Sequence, residues 1–354
     1  MVTELYVLEA TFMNNPYSLV FGIEPSEYIS RLAQKDEIIN GFKDDPRKLF
    51  MITGVRGSGK TVFMSEIKSC FEKEKDYIVI ELSTERNMLE GLVAKLSGKD
   101  KLSSLFKSAE INLSFLGFGV ELKGVDPEVD IEVALQKMLL VLKRHKKKLL
   151  VVADEVVDNE YVREFASVFQ ILIRDNLPIG LLMTGLYENI DDLQNEKNLT
   201  FLHRAPKIHL GPLSIGTMAA NYRKNLNVDT EISIKMAQMT RGFSYAFQVL
   251  GYVMWENKCD FEDGKIKLKQ YLEEYVYDKI WSEVSEKDKK ILYAIAKTPS
   301  GKIKDIRNIL GIEPNAFTPY KKRLVRKGVI ADEEGIAKLT LPLMDEFIIE
   351  NYYL

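Results

Sequence analysis

The chain has 354 residues, of which 46% are hydrophobic, and its formal net charge is −3. This length predicts two or three domains, and the apolar fraction is sufficient to build globular cores. The near-neutral charge excludes nucleic-acid binding through the overall charge of the chain, so any such surface has to be local.

No stretch approaches the roughly 18 consecutive apolar residues of a membrane span, and the N-terminus lacks the pattern of a secretory signal. The two cysteines, Cys70 and Cys259, lie far apart and outside any ligand motif. This usage favours a reduced, cytoplasmic setting. The three histidines have no metal-ligand spacing, so no histidine-based metal site is expected.

Residues 1–48 form a lead-in with turn signals at Asn15-Pro16-Tyr17 and Glu24-Pro25-Ser26. A short apolar strand is predicted over residues 49–53, and an amphipathic helix is expected to start near Lys60. Between them lies a loop with the phosphate-binding pattern G-x-x-x-x-G-K-T. Its residues, with the one that follows, are Gly54, Val55, Arg56, Gly57, Ser58, Gly59, Lys60, Thr61 and Val62.

The residue types in this loop suit a triphosphate. Glycines leave the backbone free to curl around phosphate oxygens, and the helix that follows points its positive end at them. Lys60 is expected to reach the β- and γ-phosphates, and the Thr61 hydroxyl to hold Mg²⁺. The lead-in either covers the adenine ring or simply wraps on the sheet.

Further elements alternate as expected for an α/β sheet. A strand is predicted over residues 77–82, and helices over residues 87–97 and 131–144. Alternating apolar residues with paired glycines predict an inserted hairpin over residues 111–122. That hairpin would either contact DNA or a neighbouring subunit, or pack on its own domain.

An apolar strand over residues 149–153 leads directly to Asp154 and Glu155. After a phosphate-binding loop, such an acid pair is expected to serve the nucleotide. Asp154 would hold Mg²⁺ through water, and Glu155 would orient and polarise the attacking water. The glutamate directly after the aspartate favours ATP hydrolysis over small-molecule kinase chemistry.

A helix over residues 160–174 and a strand over residues 178–185 come next. Thr184 at the end of that strand is expected either to sense the γ-phosphate or hold the lytic water, or to be a simple cap. Arg204 precedes the last core strand. It would act as an arginine finger, in its own site or in a neighbouring subunit, or lie on the surface without that role.

Residues 214–280 have an all-helical pattern that is typical of a small lid, with helices predicted over residues 217–225, 231–240, 245–256 and 267–281. Residues 285–298, 302–310 and 315–327 then form three apolar-striped helices, and residues 329–341 a hairpin. Three helices and a hairpin predict a winged helix.

The third helix of this set carries a cluster of basic residues. Residues 297–327 contain nine basic and two acidic side chains, a local charge of +7. Such a charge favours phosphate contacts and predicts binding of double-stranded DNA, although docking on a protein remains the alternative. The candidate DNA-binding residues are Lys321, Lys322, Arg323, Arg326 and Lys327.

Taken together, these residues resemble AAA+ and STAND-type ATPases related to origin-recognition initiators. The segments that carry the resemblance are Asn15-Pro16-Tyr17, Phe21-Gly22, the loop over residues 54–61, Ala153-Asp154-Glu155, Met183-Thr184-Gly185, Gly211-Pro212-Leu213-Ser214 and residues 242–248. Two positions depart from the pattern. The initiators have an arginine at the position of Tyr245, and the signalling branch has a proline at the position of Ser244.

The resemblance implies an α/β fold with a P-loop parallel-sheet core, a helical lid and a C-terminal winged helix. The expected boundaries are residues 1–213, 214–282 and 283–354. ATP rather than GTP would bind between core and lid together with Mg²⁺. Expected partners are duplex DNA, further copies of the chain or another protein.

Overall fold

The computed structural model of the chain describes residues 14–20, 25–109, 111, 130–258 and 260–352. The hairpin predicted over residues 111–122 lies outside the described residues except for its first position. Within the described ranges, none of the helices combines the length and the apolar character that a bilayer span requires.

A sheet of five parallel strands, in the order β2-β3-β4-β1-β5, forms the centre of the first two thirds of the chain. Every residue of the first and fourth strands is buried, as expected for strands covered on both faces. The strands are β1 (Leu49–Thr53), β2 (Tyr77–Leu82), β3 (Lys148–Ala153), β4 (Ile179–Gly185) and β5 (Lys207–His209).

Helices cover both faces of this sheet. The helices α1 and α2 pack on one face and α3 to α6 on the other, where each face has its own hydrophobic cluster. Asn87, Asp130 and Asn159 cap the N-termini of α3, α5 and α6 through their side chains. The helices are α1 (Leu32–Asp44), α2 (Lys60–Glu72), α3 (Met88–Ser97), α4 (Asp100–Ser108), α5 (Ile131–Arg144), α6 (Glu160–Arg174) and α7 (Tyr187–Asn195), followed by a 3₁₀ segment (Lys197–Arg204).

The α/β core agrees closely with the elements predicted from sequence. Strand β4 lies between β1 and β3, and the carboxyl ends of all three are aligned, with Thr53 opposite Gly185 and Ala153 opposite Met183. The loop after β1, the acid pair after β3 and the end of β4 therefore meet at one edge of the sheet.

The remainder of the chain is mostly helical. The predicted fourth lid helix over residues 267–281 begins earlier, at Phe261, and contains a π-helical segment over residues 273–277. These helices are α8 (Ile215–Leu226), α9 (Thr230–Met239), α10 (Ser244–Asn257), α11 (Phe261–Leu272) and α12 (Asp278–Glu283).

Three helices and an antiparallel hairpin follow, in the predicted order, and a last helix that the sequence pattern did not indicate completes the described part. The hairpin turn has positive φ at both Glu334 and Gly335, which suits a tight two-residue connection. These elements are α13 (Glu286–Ala296), α14 (Ile303–Leu310), α15 (Pro314–Arg326), β6 (Ile330–Glu333), β7 (Ile336–Leu339) and α16 (Met344–Asn351).

One hydrophobic cluster runs through the whole region after β5. It extends from Leu213 to Ile348 and also includes Tyr17 of the lead-in. The predicted boundary between a lid and a C-terminal domain at residues 282 and 283 therefore crosses a continuous core. The Tyr17 ring lies against α10 at Gly251, and its hydroxyl donates to Asn221 at 2.8 Å.

This contact generates a stability prediction. A Cβ atom added at Gly251 would lie 2.5 Å from the Tyr17 ring, so Gly251→Ala should lower the free energy of unfolding by about 1–3 kcal/mol through overpacking. Gly216→Ala in α8 is the matched control, because its Cβ would have no neighbour closer than 3.9 Å. Urea titration followed by circular dichroism measures both; equal stability of the two variants would contradict the tight Tyr17 contact.

Candidate functional site

A cavity of about 1080 Å³ lies at the edge of the sheet where β1, β3 and β4 end. The P-loop, the acid pair and Gly185 line it on one side. The lead-in and the start of α10 line it on the other side. In a parallel α/β sheet, this edge is where ligands bind.

The loop over residues 54–61 has the geometry of a phosphate cradle. Gly57 and Gly59 have φ of 78° and 87°, a region that side-chain-bearing residues rarely adopt. A Cβ atom at Gly54 would lie 2.5 Å from the Ser58 Oγ, so a larger residue there would have to displace the Ser58 side chain. Gly59 then leads directly into α2 at Lys60, which places a helix N-terminus at the loop.

The Lys60 ammonium is held within this loop. Its Nζ donates to the carbonyl oxygens of Gly54 and Val55, both at 3.0 Å. Burial lowers the pKa of Lys60 to about 8, and the nearby Asp154 carboxylate only partly opposes this shift. A buried cation with depressed pKa gains stabilisation from an added anion, which fits the expected phosphate role.

Three oxygen-bearing side chains meet where the strands end. Thr61 Oγ1 donates to Asp154 Oδ2 at 2.6 Å, and the buried Thr184 hydroxyl donates to the other oxygen, Asp154 Oδ1. A hydroxyl next to a carboxylate is a donor set of the kind that Mg²⁺ accepts. The residues predicted to hold this metal are therefore adjacent and fit it.

Glu155 lies beside this group and also lines the cavity. Its φ of 49° is left-handed and therefore strained for a glutamate. Its backbone N–H is 2.9 Å from Asp154 Oδ1 and 3.4 Å from Thr184 Oγ1. The hydrogen bonds at this turn hold the backbone in the strained conformation, which fixes the position of the carboxylate relative to Asp154.

The structure adds residues on the lid side that the sequence analysis did not assign to the site. Tyr245 N–H donates to the carbonyl of Gly57 at 3.1 Å, and the Ser244 hydroxyl donates to the carbonyl of Ser58 at 2.9 Å. Phe243 packs on Gly57, where a Cβ atom would lie 2.7 Å from its ring. The start of α10 is therefore in direct contact with the P-loop.

Arg31, just before α1, also reaches the loop. Its Nη2 lies 3.4 Å from the Ser58 carbonyl and 3.5 Å from the Ser244 hydroxyl. Arg31 thus joins the lead-in to both the P-loop and the lid. A single basic residue after the second turn signal gave too weak a pattern to be singled out from sequence.

The C-terminal region contacts the same loop from outside the cavity. Gly328, after α15, packs against Val55, and Arg56 forms an ion pair with Glu283 at 3.6 Å. The Arg56 Nε is buried and finds no hydrogen-bond partner among the residues that the structure describes. Val55 and Arg56, which occupy x positions of the G-x-x-x-x-G-K-T pattern, are therefore in contact with the C-terminal third of the chain.

Four of the five basic residues predicted to bind DNA already have acidic partners. Lys321 pairs with Asp332, and Arg323 pairs with the buried Asp288 at 2.6 Å. Lys322 is exposed and, within the described residues, has no ion-pair partner. Arg326 and Lys327 instead reach α7 of the core. They pair there with Asp191 at 3.3 Å and with Glu188.

Arg204 ends the 3₁₀ segment before β5 and is exposed. It is not among the residues that line the cavity. Its role as an arginine finger thus stays a prediction and would require a neighbouring subunit.

Two family models match the chain. Residues 31–202 match one described as an ATPase domain predominantly from Archaea. Residues 274–348 match a second, described as a domain of unknown function (DUF8462), which crosses the predicted boundary at residue 283. A comparison with curated proteins gives no match.

Solved structures with the same fold cover nearly the whole chain. A Walker-type ATPase of Pyrococcus abyssi matches with a TM-score of 0.67 and 17% identity, over 92% of this chain and 97% of the other. The ORC2 protein of Aeropyrum pernix, solved in ADPNP–ADP complexes, matches with a TM-score of 0.56 and 13% identity, over 93% and 94%. Residues 31–202 thus match an archaeal ATPase domain, and the chain has the α/β fold of Walker-type P-loop ATPases.

Proposed function

We propose that this chain binds Mg-ATP in the cavity, hydrolyses it, and uses the nucleotide state to control how its C-terminal region engages duplex DNA. The observation that carries the proposal is the junction of Thr61, Asp154 and Thr184 beside the P-loop, with Glu155 adjacent. The ATPase match over residues 31–202 and the adenine nucleotides bound by the Aeropyrum pernix ORC2 protein support it.

Each residue has a distinct task in the proposed reaction. The backbone of residues 54–61 binds the phosphates, and Lys60 neutralises their charge. Thr61 and Asp154 hold Mg²⁺, which when bound offsets the charge that develops on the phosphate oxygens. Thr184 keeps Asp154 oriented through its hydrogen bond. Glu155 accepts a proton from the attacking water and aligns it with the terminal phosphate.

The P-loop is in position to transmit the nucleotide state. The lid contacts it through Ser244 and Tyr245, and the C-terminal region contacts it through Glu283 and Gly328. A rearrangement of the loop around phosphates would alter both sets of contacts. Helix α7, which pairs with Arg326 and Lys327, starts two residues after Gly185. A movement at the end of β4, beside Thr184, would therefore also reach α7.

We propose that residues 283–354 act as a winged helix with α15 as the DNA-contacting helix. The ion pairs of Arg326 and Lys327 with α7 then compete with phosphate contacts, so the docked arrangement is the weaker DNA-binding state. Arg326 is largely exposed, so its pair with Asp191 contributes only about 0–1 kcal/mol, whereas the pair of Lys327 with Glu188 is partly buried and is the main contact to be released.

A second candidate function is a nucleotide-dependent switch whose C-terminal region docks on a protein. The observation that favours it is the pairing of four of the five candidate DNA-binding residues, on α15 and at its C-terminus, with acidic side chains, because this leaves little free positive charge there. Self-association through Arg204 belongs to either function. It would appear as an ATP-dependent mass increase in light scattering.

The role of Glu155 gives the first test of turnover. Glu155→Gln should lower kcat for ATP hydrolysis by about 10²- to 10⁴-fold while leaving ATP binding nearly unchanged, because the amide cannot take the proton. Phosphate release measures kcat, and calorimetry measures binding. Glu85→Gln is the matched control, since Glu85 also lines the cavity but follows a different strand. Unchanged turnover in the Glu155 variant would reject this assignment.

The depressed pKa of Lys60 predicts a pH dependence. Bound phosphates stabilise the ammonium, so the complex holds a proton that the free protein loses above a pH of about 8. The affinity for Mg-ATP should therefore fall as pH rises from 7.5 to 9.5, by up to about tenfold per unit. Calorimetry across this range measures it. Any Mg-ATP binding that remains in Lys60→Arg should not change with pH over this range, since the guanidinium stays protonated. An equally steep fall of affinity in this variant would mean that a group other than Lys60 titrates.

The contact between α7 and α15 predicts a gain of DNA binding. Glu188→Gln removes the core partner of Lys327, so affinity for a random duplex at low salt should rise by roughly 3- to 10-fold. Asp192→Asn is the matched control, because it removes one charge from the same helix. Asp192 forms no ion pair in the described ranges and acts on Arg326 only through a weaker attraction between charges, so its gain should be smaller. Fluorescence anisotropy, with and without ATP, measures both.

Lys322→Glu completes this experiment, because Lys322 is exposed and its loss should weaken DNA binding without disturbing the fold. Arg323 is unsuitable for this purpose, since its loss would leave the buried Asp288 unpaired. Absence of duplex binding in every variant would exclude DNA and favour the protein-docking function. Equal gains in the Glu188 and Asp192 variants would show a general charge effect in place of release from α7.

A further inference from the structure

Glu66 is a buried carboxylate that lies beside the nucleotide cavity and has no task in the proposed reaction. It sits on α2, five residues beyond Thr61 and four beyond Val62, so it shares a helix face with Val62 about one turn farther along. Glu66 is only 6% exposed, yet it is one of the residues that line the cavity.

The two oxygens of this carboxylate differ. Oε1 accepts from the Ser30 hydroxyl at 2.7 Å and from Lys35 Nζ at 2.8 Å. The hydrogen bond to Glu66 raises the pKa of Lys35, so Lys35 is a protonated donor and Glu66 Oε1 is its acceptor. Oε2 is buried and has no partner in the described part of the chain. A buried acceptor left unpaired is unfavourable, and a ligand donor would offset that cost.

Glu66 lies where the lead-in meets α2, because it accepts from Ser30 of the lead-in. Covering the adenine ring is one of the two roles expected for the lead-in. The phosphates are expected at the N-terminus of α2, and Glu66 lies farther along that helix. Pro25 and Ile29 of the lead-in also line the cavity, and apolar side chains near one polar atom suit a base or a sugar better than a phosphate.

Gln248, another polar side chain that lines the cavity, is already engaged at both ends. Its Nε2 donates to the Glu27 carbonyl at 2.8 Å, and its Oε1 accepts from the Ser18 N–H at 3.1 Å. Glu66 Oε2, in contrast, keeps its acceptor capacity. Of these two polar side chains that line the cavity, only Glu66 therefore has an oxygen left to accept a hydrogen bond from a ligand.

We propose that Glu66 Oε2 accepts a hydrogen bond from the nucleoside of the bound nucleotide and thereby selects nucleotides that carry a donor at this point. The inference rests on the proposed nucleotide binding and adds a specificity-determining residue to it. The donor is an N–H or O–H group, which either the 6-amino group of adenine or a ribose hydroxyl supplies.

The experiment uses calorimetry on the full chain with four Mg-triphosphates. They are ATP, purine riboside triphosphate, which lacks the 6-amino group, 2′-deoxy-ATP and 3′-deoxy-ATP. Loss of a hydrogen bond to a charged acceptor should weaken one of the three analogues by roughly 10- to 100-fold relative to ATP. The analogue that is weakened identifies the donor.

Glu66→Gln tests the residue itself. Ser30 and Lys35 are donors, so they would hold the amide oxygen and turn the amide NH₂ toward the cavity. In this variant, ATP and the analogue that binds weakly to the wild type should bind with similar affinity, or the analogue should bind more tightly. A purely structural role of Glu66 would instead change the affinity of all nucleotides equally. Glu72→Gln, on the same helix and also lining the cavity, is the matched control and should keep the wild-type ratio.

The outcomes separate this inference from the proposed function. If the wild-type protein binds all four nucleotides equally well, or if Glu66→Gln keeps the wild-type ratio, Glu66 does not select the nucleoside, while nucleotide binding stands. If the wild-type protein binds none of them, the proposed function itself fails. Binding of inorganic tripolyphosphate, measured in parallel, should be the same in wild type and Glu66→Gln; a loss in the variant would mean that the substitution disturbs the P-loop and that Glu66 is structural.

Discussion

The hydrogen bonding of the P-loop carbonyl groups is the constraint on which the site depends. Lys60 satisfies the carbonyls of Gly54 and Val55, while α10 satisfies those of Gly57 and Ser58. A loop whose acceptors are engaged by its own lysine and by the lid holds one curled conformation. The cost of ordering a glycine-rich loop is thus partly met by contacts from another part of the chain, and these are the contacts that a rearrangement of the loop would have to change.

The same arrangement makes the loop a meeting point of three regions. Arg31 comes from the lead-in, Ser244 from the lid, and Glu283 from the start of the C-terminal third. None of these contacts is individually strong, since each is a single hydrogen bond or a partly exposed ion pair. Their effect comes from their convergence on residues 54–61, where the nucleotide phosphates would also act.

Much of the α/β core could be predicted because its signals are local. The strands over residues 49–53 and 77–82 have the predicted ends, since uninterrupted apolar runs between turns specify buried parallel strands. The acid pair could be placed next to Thr61 because parallel strands end at a common edge. The hydrogen bond from Thr184 to Asp154 could not be predicted, because it depends on the strand order, which a sequence pattern does not provide.

Long-range contacts were the part that sequence patterns could not supply. A count of basic residues on α15 predicts a surface for phosphates, but Arg326 and Lys327 find carboxylates more than one hundred residues away in the chain. The charge pattern is the same whether the partner is DNA or α7. Glu66 was likewise invisible, because a glutamate in an amphipathic helix is usually a solvated residue, and only the packing of α1 buries it.

The shared core from Leu213 to Ile348 has a mechanical consequence. Close-packed side chains resist shear, so a displacement of one part of this core would be transmitted to the rest. The chain passes from the sheet to this core at Gly211 and Pro212, between the backbone hydrogen bonds of Leu210 to Thr53 and of Leu213 to Gly242. A pivot at these two residues would turn a small displacement at residues 54–61 into a larger one at the tip of the β6–β7 hairpin.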